Sequence, residues 1–85
     1  MGPESSFGWA IKQMWTGSRV RRVGWNGKGM FLFLVADWKP TNVAAIRPDE
    51  YPVLPFIAMK TADNKVVPWL ASQTDMLAID WELAE

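Results

Sequence analysis

Cysteine and histidine are both absent from the 85 residues. Without cysteine there is no disulfide and no thiolate metal site. Without histidine the commonest general base and the commonest metal ligand are missing as well. An excess of one charge is also lacking, since nine basic residues balance nine acidic ones. The electrostatic footprint of a general DNA binder is therefore missing, and no DNA partner is expected. No apolar run approaches the ~20 residues of a membrane span, and no signal peptide is visible. A soluble, intracellular protein without a membrane partner is expected.

What the chain has instead is aromatic bulk: six Trp, four Phe and one Tyr, with five Met. A chain of this size buries roughly 60–65% of the surface its unfolded form exposes, so its core is marginal alone. Small domains without disulfides or metals often find the missing burial in a partner chain. A homo-oligomer is the expectation. The lead "MGPESS" is polar and has no apolar face, so residues 1–6 are expected to be disordered or partly introduced in cloning. Residues 7–85 form a single domain.

Phe7, Ala10, Ile11, Met14 and Trp15 recur at the spacing of one helix face. Ser6 is placed to cap that helix and Gly17 to stop it. From Arg19 to Val23 the pattern turns strand-like, and Gly24–Gly29 is a turn. "MFLFLVA" (Met30–Ala36) is too short and too rich in β-formers for a helix, and it reads as a buried strand. Asp37–Glu50 is the longest loop candidate. Phe56–Lys60 and Lys65–Trp69 form a hairpin about Ala62–Asp63–Asn64. Thr74 is placed to cap a short helical turn over Asp75–Ala78, and Trp81 with Leu83 alternate as an edge strand. The fold class is α+β: one N-terminal amphipathic helix on a small, twisted, mostly antiparallel sheet.

The glycine-rich stretch "GWNGKGM" invites a phosphate-loop reading, and its spacing rejects it. A P-loop needs G-x-x-x-x-G-K-[ST] leading into a helix, whose first amides hold the phosphate. Here Gly24, Gly27 and Gly29 lead into a strand, Met30 follows them, and no serine or threonine supplies the hydroxyl. The dinucleotide fingerprint fails for the same reason. Two readings remain. Asn26–Gly27 is a strong hairpin signal in its own right. The same loop could also hold a ligand, with glycines opening the backbone amides, Trp25 as a stacking face and Lys28 as a charge for phosphate.

"PWLASQTDM" has the same double character. It is either a plain strand-to-helix connection or a ring, Trp69, followed by polar groups that read a base edge or ribose hydroxyls: Ser72, Gln73, Thr74 and Asp75. Arg19, Arg21 and Arg22 either line a solvated strand face or converge on a diphosphate. Trp9, Trp15, Trp38 and Trp81 are expected mostly in the core or an interface. No spacing brings a nucleophile, base or carboxylate pair together. The chain reads as a binding protein without cofactor or metal, not an enzyme.

"GWNGKGMFLFLV" and "MKTADNKVVPWLASQTDMLAIDWEL" together resemble the Thoeris anti-defence one family of phages, formerly a domain of unknown function. The opening "FGWAIKQMWTGSRVRRVGW" fits that family too, so the resemblance covers most of the chain. It implies a sponge that binds cyclic ADP-ribose isomers without cleaving them and so keeps a bacterial immune effector inactive. It implies action in the cytoplasm of the infected host, as a homodimer or a hexamer of dimers with the site between protomers. Some members also hold cyclic di- or trinucleotides in separate pockets. By motif position the resemblance carries ligand contacts onto Trp25, Asn26, Gly27, Lys28, Gly29, Met30, Ser72, Gln73, Thr74 and Asp75, with Phe7, Arg19, Arg21 and Arg22 as further candidates. Two rivals remain: a small RNA- or protein-binding regulator of phage origin, with Trp and Arg as a stacking platform, and hydrolysis of the signal.

Overall fold

The computed structural model describes residues 5–25, 29–41, 43–47 and 50–84. Helix α1 spans Phe7–Trp15, as its apolar spacing predicts. The Ser6 hydroxyl accepts the Trp9 N–H at 3.1 Å and so caps the first turn. At the other end Gly17 takes φ +92°, the left-handed conformation that stops the helix. The Gly17 N–H then bonds to the Met14 carbonyl and the Ser18 N–H to the Gln13 carbonyl. This is the paired closure of a Schellman motif.

Five strands follow: β1 Val20–Arg22, β2 Phe31–Val35, β3 Phe56–Lys60, β4 Val66–Pro68 and β5 Trp81–Leu83. They form one antiparallel sheet in the order β4-β3-β2-β1-β5. The α+β expectation holds, and both ends of the order fit their residues. β4 carries Pro68, which an edge strand tolerates because the missing N–H is not needed there. β5 is the opposite edge, as its alternation suggests. The β3–β4 turn places Asn64 at φ +64°, with the Asn64 N–H donating to the Thr61 carbonyl. Asparagine tolerates that conformation better than most residues.

Strand alternation sorts the side chains onto two faces. Val20, Leu32 and Trp81 point to the side where α1 lies and meet Ala10 and Met14 in the buried core. Phe7, Ile11, Leu34, Ile57 and Met59 close around them. Phe31, Phe33, Lys60 and Val66 occupy the other face. Two local expectations need correction. Residues Val23–Trp25 make a 3-10 turn, so β1 ends at Arg22. The second helix, α2, runs Gln73–Leu77 and its cap is Ser72, not Thr74.

Candidate functional site

The pairing of β5 with β1 joins the two motifs. Arg22 lies opposite Trp81 in the register, and the Val23 N–H donates to the Asp80 carbonyl at 3.0 Å. The stretch Ser72–Asp80 is thereby laid against the start of the glycine-rich loop. Arg22 fastens the two: its Nη1 reaches Asp75 Oδ1 and its Nε reaches Asp80 Oδ1, each at 3.0 Å. Only 24% of the Arg22 side chain and 17% of the Asp75 side chain remain exposed, so this ion pair is shielded from solvent.

The other Asp75 oxygen, Oδ2, accepts the Ser72 N–H at 3.0 Å and the Ser72 hydroxyl at 2.8 Å. The Ser72 Oγ in turn accepts the Asp75 N–H at 3.1 Å. These reciprocal bonds form a capping box and hold α2 at its first turn. Burial pushes the Asp75 carboxyl up. The Ser72 N–H, the Ser72 hydroxyl and the Arg22 guanidinium outweigh that effect and hold it below its ordinary value. The Arg22 guanidinium is shifted upward, first by its bond to Asp80; burial opposes this and Asp75 adds to it.

Trp81 is the hub of an aromatic cluster beneath these polar groups. It is 2% exposed. The Phe7 ring centroid lies 5.3 Å from it, and the Trp25 and Trp69 rings meet it edge-on at 5.7 and 6.2 Å. Such edge contacts suit the ring quadrupole. Its indole Nε1–H donates to the Asp75 carbonyl at 3.0 Å, tying the cluster to α2.

Several candidate residues thus come together: Trp25, Phe7, Arg22 and Ser72–Asp75. Others do not. Arg19, Arg21 and Arg22 cannot converge on one diphosphate, because alternation sends Arg22 to the α1 side and the other two away from it. Arg21 pairs with Glu82 at 2.8 Å, and Arg19 lies over the Phe31 ring at 4.6 Å. Gly29 takes φ +76°, and its carbonyl accepts a bond from Lys60 Nζ at 2.9 Å. Met30 is half-buried just before β2. Asn26, Gly27 and Lys28 lie outside the described residues. Among the tryptophans, Trp9 packs on the core with Trp81, whereas Trp15 and Trp38 are exposed.

Arg22 and Asp75 are therefore holders. Both spend their charge on the protein. The groups that face outward are Gln73 and Thr74, both exposed. The Ser72 hydroxyl has one proton, and it goes to Asp75. In the 2.9 Å contact between Ser72 and Thr74, Thr74 is then the donor. Its oxygen lone pairs remain to accept from a ligand hydroxyl. A concavity of about 390 Å³ lies elsewhere, along the β2–β3 connection beside Trp38, Lys39 and Tyr51.

The Thoeris anti-defense 2-like domain family matches residues 5–84. The chain belongs to that family. A curated relative, Thoeris anti-defense 2 of Bacillus phage SP01, is 44% identical over 87 residues, with 98% of both chains covered. The resemblance to phage Thoeris anti-defence proteins is borne out, and the branch that matches is the 2-like one. Both joined motifs lie inside the matched span. So do Trp69, Asp80 and Trp81, whose structural roles depend on the β1–β5 pairing. Among the described residues no helix is long and apolar enough to cross a membrane.

Proposed function

We propose that the chain is a phage anti-defence sponge, which binds a cyclic ADP-ribose-type immune signal and sequesters it without cleavage. One observation carries the reading. Arg22 and Asp75, 53 residues apart, form an ion pair that holds the start of the glycine-rich loop against α2, so a stacking ring and a hydroxyl-bearing helix start share one rim. Trp25 supplies the face for adenine, and the loop 26–30 supplies small residues and a cation for the diphosphate. Gln73 and Thr74 accept from or donate to ribose hydroxyls. With neither histidine nor cysteine in the chain, an imidazole base and a thiolate nucleophile for hydrolysis are lacking.

A second copy completes the site in this reading. Leu70, Leu77 and Trp15 are 92%, 76% and 60% exposed. These are large apolar groups, and covering them removes a cost the single chain leaves in water. Enclosure also suits a sponge, because slow release is where affinity differences mostly lie.

The test is incubation with the product of a TIR-domain enzyme, followed by heat denaturation and analysis of what is released. Recovery of the intact signal is expected. Altered product would mean an enzyme, and no recovery would refute signal binding. A titration with salt separates the reading from an RNA-binding groove. The groove would lose affinity steeply, and an enclosed ligand with one diphosphate should lose little.

A further inference from the structure

The sheet face away from α1 carries a groove of about 360 Å³ lined by Arg19, Phe31, Phe33, Lys60 and Val66. We propose that this groove is a second binding site, for a small aromatic phosphate monoester. The register puts Phe31 opposite Lys60, and Lys60 opposite Val66, so the ring, the amine and the apolar wall share one face. Arg19 lies 4.6 Å from the Phe31 ring centroid and Lys60 Nζ 5.9 Å from it. Two cations thus gather about one ring.

Among the described residues Arg21 and Arg22 are paired with Glu82, Asp75 and Asp80, and neither Arg19 nor Lys60 makes an ion pair. Arg21 is the instructive contrast, since it lies on the same face two residues along and is paired with Glu82. Lys60 spends one N–H on the Gly29 carbonyl and keeps two. Arg19 rests on Phe31, leaving N–H groups at its edge to fork onto an oxyanion.

Two cations match a dianion, and Phe33 with Val66 offers apolar surface for a flat body. The volume lies at the low end for ligand pockets, enough for a single ring with its phosphate. This site is on the opposite face from Trp25, Trp69 and Trp81, so it stands or falls independently of the signal site.

The probe is phenyl phosphate, titrated into the intact chain with backbone amide NMR as readout. Inorganic phosphate and phenol serve as half-probes. Shifts are expected at Arg19, Phe31, Phe33, Lys60 and Val66, and not at Trp25 or Ser72. Each half-probe should bind at least about tenfold more weakly, and Arg19→Gln and Lys60→Gln should each weaken phenyl phosphate by about five- to tenfold. Binding should also weaken below about pH 6, where the monoester loses its second charge. A thermal melt on each variant confirms that it is folded. Equal binding of inorganic phosphate would mean an adventitious ion only and overturn the proposal. So would shifts centred on Trp25 and Trp81, or no shifts because a second copy covers this face.

Discussion

Replacing Arg22 by Met tests the junction on which the site depends. Methionine keeps most of the apolar stem that packs along the strand and removes only the fork. Two contacts of 3.0 Å are lost, to Asp75 and to Asp80. A hydrogen bond to a charged group contributes about 1.5–3 kcal/mol when shielded. Exposed pairs contribute about 1 kcal/mol or less. Asp75 is 17% exposed and belongs nearer the first case, whereas Asp80 is 34% exposed and belongs nearer the second. The expected loss is about 2 kcal/mol, which for a domain of this size is a fall of about 8–15 °C in Tm.

Arg22→Lys should recover about half, because an ammonium on a flexible stem reaches one carboxylate and not both in the fork geometry. Urea unfolding of Arg22→Met, Asp75→Asn, Asp80→Asn and the two double variants gives the coupling energies directly. The Arg22–Asp75 coupling should be the larger. An unchanged unfolding midpoint in Arg22→Met would refute the assignment of Arg22 as a strut. If stability is untouched while signal release accelerates, Arg22 contacts the ligand after all.

Ser72→Ala should lower stability by about 1 kcal/mol through loss of the cap, while Thr74→Ala should leave the melt nearly unchanged and speed ligand release. Gly29→Val should destabilise by about 1–3 kcal/mol, because a β-branched residue is strained at φ +76° and its Cβ would sit 3.2 Å from Lys60 Nζ. The Asp75 carboxyl is held below its ordinary value of 3.8, so its stabilising contribution is complete above about pH 4 and is lost as the pH falls through the folded value. Urea midpoints from pH 7 to 2 should show that loss, and Asp75→Asn should remove its share. Light scattering at micromolar concentration should give a dimer mass or a multiple of it, and a monomer that still holds the signal would refute a shared site.

Local rules carried much of the fold. α1 begins and ends where Ser6 and Gly17 put it, since both act on backbone groups within one turn. The β3–β4 hairpin follows from Asn64 in its turn, and β2 from an apolar run too short for a helix. Thr74 misled because any hydroxyl three residues before a periodic run looks like a cap. The choice between Ser72 and Thr74 rests on which of them has an acidic residue at the third helical position. Asp75 stands there for Ser72, and the residue at that position for Thr74 is Leu77. That signal was present in the sequence, and the capping-box rule reads it.

The site was legible as two motifs and illegible as one place. Nothing in the spacing of "GWNGKGM" and "SQTD" says that they touch, because strand order is a property of long-range pairing. Once β5 adds to the free edge of β1, three residues acquire roles that composition cannot assign. Trp81 becomes the floor under Trp25, Trp69 and Phe7. Asp80 becomes the second tooth of the Arg22 clamp. Asp75, which looks like a ligand group from its polar neighbours, turns inward to hold the helix start. The arginine run divides by the same logic. A period of two cannot put neighbouring arginines on one face, so Arg22 serves the junction while Arg19 and Arg21 serve the opposite side of the sheet. In the proposed reading, the charge a diphosphate needs at the rim would come from Lys28 of the loop or from a second copy.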